Sequence, residues 1–328
     1  MTRVVVLFSG GLDSMLAARI MRRQAIETLA LNVNATFDSS QVKAKQAADE
    51  LGLALTVRSV EDDYFQMIRN PRYGYGKAVN PCVDCHLYMC RLAARFMKET
   101  DACAVATGEV LGQRPMSQKR GDLELIERRA GLEGRLLRPL SAKLLDPTLP
   151  EQEGLVDREA LYGFSGRGRR ELIELAMQLG IERTPTPSPG CSLTDKIFAG
   201  RVRDLMQFDL NATRWDFELL KTGRHFRFTE QTKLVVGRDA DENARLCSHF
   251  QQADRCEAAL LHPENFLGPD VLVTGQVTDE AVRFAGSLIV RYSRRADPND
   301  AQVRVTRDGK DHIFQAFWDS AAQAAVPV

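Results

Sequence analysis

Short apolar runs alternate along the first part of the chain with segments whose apolar residues recur every three or four positions. RVVVLF (3–8) is β-branched and continuously apolar, as a strand buried on both faces is, and it stops at Ser9-Gly10-Gly11. SMLAARIMRRQ (14–24) then predicts a helix with basic residues in its last turn, where they suit the helix dipole. TLALNV (28–33) predicts a second strand, and SSQVKAKQAADELG (39–52) a serine-capped helix ending at Gly52. LALTVRSV (53–60) predicts a third strand, LYMCRLAARFMKET (87–100) a helix, and ACAVATGE (102–109) a fourth strand. Strand and helix in alternation predict an α/β fold, a doubly wound parallel sheet with helices on both faces. Such sheets bind ligands at the carboxyl ends of their strands, where both SGGLDS and TGE fall.

The Pro- and acid-rich LLDPTLPEQEGLVD (144–157) predicts a connection. Residues 158–181 predict helical pieces around a basic turn that carries Arg167, Arg169 and Arg170. Past about residue 212 the pattern changes to strands in KLVVGR, VLVTGQV and AQVRVT with helices over 239–251 and 279–292. The expected division is therefore an α/β domain over 1–211 and a smaller α+β domain over 212–328.

A length of 328 residues accommodates two domains with cores of their own. Lys and Arg together number 44, as do Asp and Glu, so contact with nucleic acid has to come from local basic patches. The apolar start is too short for a signal peptide, and no run approaches a membrane span. A cytoplasmic protein with no membrane partner is expected. Thiols stay reduced there, so clustered cysteines point to metal or catalysis before disulfides.

Two stretches carry the chemistry. In SGGLDS (Ser9, Gly10, Gly11, Leu12, Asp13, Ser14) the glycines let backbone amides approach an anion, and the following helix aims its positive end at the same spot. Ser9 and Ser14 add hydroxyls, and Asp13 is placed to hold a magnesium ion. An ordinary Gly-Gly turn is the bland alternative. In NPCVDCHLYMC (80–90), Cys82 and Cys85 form a C-x-x-C pair with Cys90 five residues on, and Cys191 recurs far downstream in PSPGCSLTD (187–195). Cys82 and Cys85 precede a predicted helix N-terminus, which lowers a thiol's pKa. Cys90 falls in the apolar series Leu87, Cys90, Ala94, so packing is its expected role, as for Cys103, Cys247 and Cys256. His86, at the start of a helix, reads as exposed. Asp84 serves either as a base or as a helix cap, and Arg167, Arg169 and Arg170 either grip RNA phosphates or form a solvated turn.

SGGLDS resembles the PP-loop signature of the ATP pyrophosphatase superfamily, whose members adenylate a substrate and release pyrophosphate. It lacks the Gly-Lys-Ser/Thr of a Walker A loop. NPCVDC is similar to the N-P-C-x-x-C segment of the tRNA 2-thiouridylases. TGEVLGQRPMSQ (107–118) and LLRPL (136–140) resemble segments of the tRNA 4-thiouridine synthetases, and PSPGC supplies the distant third cysteine used by both groups. Residues 215–310 resemble the NFACT-R type of RNA-binding domain. The PP-loop begins at residue 9, so the N-terminal RNA-binding module of the 4-thiouridine synthetases is expected to be absent and the C-terminal domain to supply the grip.

The resemblance implies an ATP-dependent tRNA sulfurtransferase, with Asp13, Cys82 and Cys191 catalytic and Gly108 and Glu109 bordering the nucleotide. It implies ATP and Mg2+ as cofactors, tRNA as partner, sulfide or a cysteine desulfurase persulfide as sulfur donor, and it admits a homodimer. Three cysteine readings remain open: a 4Fe–4S cluster on Cys82, Cys85 and Cys191, four-thiolate zinc with Cys90 added, and a metal-free persulfide route through Cys82 and Cys191. The cluster is the favoured expectation. A PP-loop amide or nitrile synthase using ammonia is the alternative enzyme class.

Overall fold

The computed structural model describes residues 2–35, 37, 40–185, 190–253, 257–293, 297 and 299–328. They fall into two compact units, Met1–Thr194 and Asp195–Val328.

The first unit is built on a five-stranded sheet of order β3-β2-β1-β4-β5 with every neighbouring pair parallel. Its elements run β1 (Arg3–Leu7), α1 (Leu12–Arg23), β2 (Glu27–Asn34), α2 (Ser40–Leu51), β3 (Leu55–Ser59), α3 (Asp62–Arg69), α4 (Cys82–Glu99), β4 (Ala104–Ala106), α5 (Arg120–Ala130) and β5 (Leu136–Leu137), followed by the one-turn α6 (Leu149–Gln152) and α7 (Arg170–Gln178). Period-two alternation divides the strands between two faces. Val4, Val6, Ala30, Ala104 and Ala106 share a core with residues of α1, α2 and α7. Val5 and Val105, equally buried, point to the other face, where α4 packs on β1 and β4 with α5 beside it. The strand order turns back at β1, so the loops after β1 and β4 leave neighbouring carboxyl ends in opposite directions, which is where such sheets open a crevice.

Two helices begin earlier than periodicity predicts. Helix α1 starts at Leu12, which puts Asp13, expected at a loop, in its first turn. Helix α4 starts at Cys82, directly after Pro81, so the C-x-x-C pair forms its first turn. Helix α3 escaped the sequence reading because it has only eight residues, of which Tyr64, Phe65 and Ile68 are buried. The predicted serine cap of α2 at Ser39 and residues 187–189 of PSPGC lie outside the described residues.

In the second unit α8 (Lys196–Phe208) and α9 (Arg214–Leu219) precede six antiparallel strands in the order β11-β10-β8-β9-β7-β6. The strands are β6 (Arg224–Thr229), β7 (Thr232–Val236), β8 (Ala258–Pro263), β9 (Val271–Gly275), β10 (Gln302–Arg307) and β11 (Lys310–Gln315). Helices α10 (Ala240–Gln251), α11 (Asp279–Tyr292) and α12 (Ser320–Ala324) complete it. One face of the sheet (Leu234, Val236, Val271, Val273, Val303) packs with Ala281, Ala285 and Leu288 of α11. On the other, Val235 and Leu272 pack with Leu219 and Leu246. The division falls at Thr194/Asp195 and not at 211/212, because α8 is tied to this sheet. Asp204 of α8 pairs with Arg227 at 2.7 Å and Lys233 at 3.0 Å, and Arg201 donates to the Leu220 carbonyl at 2.9 Å. Among the described residues no helix is long and apolar enough to cross a membrane.

Candidate functional site

The carboxyl ends of β1 and β4 open into a cleft of about 520 Å³ in the first unit, bordered by Ser9–Ser14, by Thr107, Gly108 and Glu109, and by Cys82, Cys85 and Cys191. Backbone closeness builds its floor. Gly10 has a φ of +72°, and a Cβ there would stand 2.6 Å from the Ala44 amide and the Lys43 carbonyl. A Cβ on Gly108 would stand 2.4 Å from the carbonyl carbon of Asp13. Only glycine permits both approaches, and they set the loop after β1 against α2 and the loop after β4 against α1.

Gly11 occupies the N-cap of α1 and has no side chain to satisfy the first-turn amides, which are left for an anion. The Gly11 amide donates to Ser9 Oγ at 3.3 Å, and Ser14 Oγ donates to the Gly11 carbonyl at 2.8 Å, closing the loop on itself. Asp13 accepts from Gln113 Nε2 at 3.2 Å through Oδ2, while among the described residues its buried Oδ1 has no partner. Burial pushes the Asp13 carboxyl above the usual carboxylate range, against the Gln113 hydrogen bond and the charges of Arg169 and Arg114. A buried carboxylate oxygen without a donor, beside free helix-terminal amides, is a fitting ligand for Mg2+.

Two segments deliver the cysteines. The first turn of α4 carries Cys82 and Cys85, and Tyr64 Oη lies 3.5 Å from Cys85 Sγ. Cys191 arrives because the Val79 amide donates to Leu193 O at 3.2 Å and Ser192 Oγ donates to Phe37 O at 3.2 Å. Its own Sγ lies 4.0 Å from Phe37 O. The expected lowering of the Cys82 pKa does not occur: burial raises it, and the Arg114 charge and a backbone hydrogen bond offset this only in part.

Cys90 is 2% exposed, its thiol pushed up by burial and by the Glu109 charge, so packing is its role. Cys103 packs at the edge of the first core, and Cys247 is half-buried with Gln251 Nε2 at 3.8 Å. Cys256 lies outside the described residues. The four-thiolate zinc reading needs Cys90 as a ligand, and Cys90 is committed to the buried face of α4. Cys82, Cys85 and Cys191 border one cleft and are the donor set that a 4Fe–4S cluster bound by three thiolates would use.

His86 borders the cleft and is not exposed as expected. Its Nδ1 lies 3.0 Å from Glu109 Oε1, while Glu109 Oε2 accepts from Thr107 Oγ1 at 3.1 Å and Arg138 Nε at 3.2 Å. Arg138 continues to Glu127 at 2.8 Å and to the Leu123 carbonyl at 2.9 Å. Burial raises the Glu109 pKa, but His86 and Arg138 outweigh it and hold the carboxyl at about 2. Both Glu109 oxygens are therefore committed inside the protein, and the ring of His86 is what this network holds at the cleft. Asp84 accepts from the amides of Arg72 and Tyr73 at 3.0 Å each and braces the preceding loop.

Glu109 thus contributes stability that is complete above its ordinary pKa of 4.5 and lost as pH falls toward about 2. Glu109→Gln is expected to lower the unfolding free energy near neutrality by about 3 kcal/mol. Urea unfolding should show the gap to wild type closing between pH 4.5 and about 2, where the native carboxylate takes up its proton. An equal gap at both ends would remove the charge network as its cause.

The sequence reading missed Gln113, Arg114, Phe37, Tyr64 and Arg138 as parts of this region. Only Arg138 and the segment holding Gln113 and Arg114 carried a signal, through LLRPL and TGEVLGQRPMSQ. Arg167 and Arg169 border the cleft, whereas Arg170 is exposed and pairs with Glu174 at 2.9 Å.

Residues 1–143 match the family model described as thiamine biosynthesis protein (ThiI), and residues 223–322 match the NFACT protein RNA binding domain. The tRNA-specific 2-thiouridylase MnmA of Rhizobium rhizogenes is 30% identical over 132 residues, 35% of this chain and 33% of that protein. MnmA of Beijerinckia indica is 28% identical over 103 residues, 26% of this chain and 24% of that protein. The chain thus spans a third or less of the length of these curated relatives. A solved 4-thiouridine synthetase–RNA complex with bound ATP is 21% identical, with a TM-score of 0.35, covering 55% of this chain and 52% of that one.

Proposed function

We propose that this chain, a PP-loop ATP pyrophosphatase of the tRNA thiolase branch with an NFACT-R-like domain after it, is an ATP-dependent tRNA uridine sulfurtransferase. The observation that carries the reading is one cleft bordered by an anion-binding loop, a buried carboxylate oxygen without a donor among the described residues, and three cysteines from two distant segments.

In this reading the amides and hydroxyls of Ser9–Ser14 bind the β- and γ-phosphates and Asp13 holds Mg2+. Gly108 lets the loop after β4 close on the same site, and Glu109 acts through His86. The uridine carbonyl oxygen attacks the α-phosphorus of ATP, forming a P–O bond as pyrophosphate leaves. Hydrosulfide then forms a C–S bond at the activated carbon, its proton is lost, and the C–O bond to AMP breaks. Cys82, Cys85 and Cys191 would hold a 4Fe–4S cluster, which supplies an open iron able to bind the sulfur donor. The chain's own task is to keep activated carbon and sulfur in one pocket away from bulk water. Sulfide is the donor of this step, a desulfurase persulfide serves only with a thiol reductant that releases its outer sulfur as sulfide, and tRNA is the partner.

The test is anaerobic incubation with ATP, Mg2+, sulfide and unmodified tRNA, with mass spectrometry of the tRNA nucleosides. A thiolated uridine formed alongside AMP is expected, and its ring position identifies the product. AMP release that requires ammonia and leaves tRNA unchanged would favour an amide or nitrile synthase.

The second unit is proposed to hold the tRNA. Removing Asp195–Val328 is expected to weaken tRNA binding at least tenfold while changing ATP affinity less than twofold. The full chain's affinity should fall steeply with salt, because phosphate contacts release counterions. Equal tRNA affinity with and without these residues would remove the role.

A further inference from the structure

We infer that Arg114, Arg167 and Arg169 form a clamp for the phosphate oxygens of the leaving pyrophosphate, a second grip beside the PP-loop. The inference rests on the ATP-dependent reading and names residues that reading leaves without a task.

The two segments carrying these arginines are far apart in sequence but fastened together. The hydroxyl of Ser141, which is fully buried, accepts from the Leu111 amide at 2.9 Å and donates to Phe164 O at 2.7 Å. Leu111 and Ser165 form a parallel bridge, and the Gly166 amide donates to Leu111 O at 2.8 Å. Gln118, 4% exposed, accepts from the Gly112 amide at 2.7 Å through its carbonyl and from the Arg114 amide at 3.0 Å through Oε1. Arg169 donates to Pro185 O at 3.4 Å, which leaves most of its guanidinium N–H groups for other acceptors. This bracing fixes the two backbone segments from which the three arginines border the cleft, so those segments need no ordering on binding.

The charge balance calls for an anion. Among the described residues the cleft is bordered by Lys43, Arg114, Arg167 and Arg169 and by two carboxylates, Asp13 and Glu109. Glu109 is already matched inside the protein by Arg138. Among the described residues none of the three arginines makes an ion pair with a carboxylate, whereas the buried Arg138 and the partly buried Arg158 of the same unit are each paired with a glutamate. The charges of Arg169 and Arg114 act on Asp13, and that of Arg114 also acts on Cys82. They therefore reach the carboxylate end of the site, where phosphates would collect. Guanidinium forks suit phosphate oxygens in pairs, and charge placed where a leaving group gains charge favours its departure. RNA phosphates share this chemistry, but the neighbouring Arg170, turned outward and paired with Glu174, is not part of the wall.

The test uses the full chain with inorganic pyrophosphate and Mg2+ as the probe, read by calorimetry and by the ligand-induced shift in Tm. Arg114→Ala and Arg169→Ala are each expected to weaken pyrophosphate binding at least tenfold, with ligand-free Tm unchanged and tRNA affinity within twofold. Arg114→Lys and Arg169→Lys should recover part of the loss, since charge returns without the fork. Unchanged pyrophosphate affinity in the double alanine variant overturns the clamp. So does a loss of tRNA affinity with pyrophosphate binding intact, which assigns the arginines to RNA. Wild-type protein that binds neither pyrophosphate nor ATP would overturn the clamp together with the ATP reading, whereas wild-type binding with indifferent variants overturns the clamp alone.

Discussion

Asp13→Asn is expected to reduce ATP-dependent pyrophosphate release by about 10³-fold, on the scale of losing a preorganised charge contact at a reacting centre. Asparagine keeps the shape and can still meet Gln113, so the loss isolates the negative charge that a divalent ion needs. The same substitution should not destabilise the ligand-free protein. Burial raises the Asp13 pKa, so this carboxyl favours the folded state most at low pH and loses that contribution as pH rises through its folded value. Above that value the ionised group costs stability until a cation neutralises it. Turnover and Mg2+ affinity in wild type should therefore rise together as pH increases through the raised pKa, and Asp13→Asn should flatten the response in Mg2+ binding. Pyrophosphate release at the wild-type rate from the purified variant would sink the PP-loop assignment.

This residue also shows where sequence reading succeeds and stops. Its chemistry was legible because Ser-Gly-Gly interrupts a buried strand just before a helical pattern, and that local sequence is an anion site wherever it folds so. Its environment was not legible. Gln113 lies a hundred residues away, and the loop after β4 closes on α1 only because Gly108 lacks a side chain. Strands β1 to β4, β7, β9 and β10, and helices α10 and α11, followed the hydrophobic period closely because their cores are organised by face, whereas β5, β6, β8 and β11 went unread. Helix starts were read less well, since a first-turn residue such as Asp84 is held by tertiary contacts that periodicity does not register. Cys82 is the clearest case. A helix N-terminus alone argues for a lowered pKa, and burial outweighs it. His86 failed the same way, because its partner Glu109 arrives on a different element. Cys90 succeeded because Leu87, Cys90 and Ala94 share the buried face of α4.

The cysteines yield the other large expected effect, because a cluster bound by three thiolates has no spare protein ligand. Replacing Cys82, Cys85 or Cys191 with alanine should remove iron and thiolation together, while Cys90→Ala should keep most of both. Anaerobically purified wild-type protein should be brown and carry about four irons and four sulfides per chain, the content of one complete cubane. The raised pKa of Cys82 sharpens the expectation: a buried thiol is a poor free nucleophile near neutrality, but a thiol bound to metal is deprotonated outright. Iron loading should therefore release protons and strengthen with pH. The contrast with Cys90 matters, since its thiol is equally close in sequence yet committed to the core, and its loss costs packing alone. Bound zinc in active protein would overturn the cluster in favour of a four-thiolate site. Full thiolation by colourless, metal-free protein would leave Cys82 and Cys191 as persulfide carriers, and Cys85→Ala would then retain activity that the cluster requires it to lose.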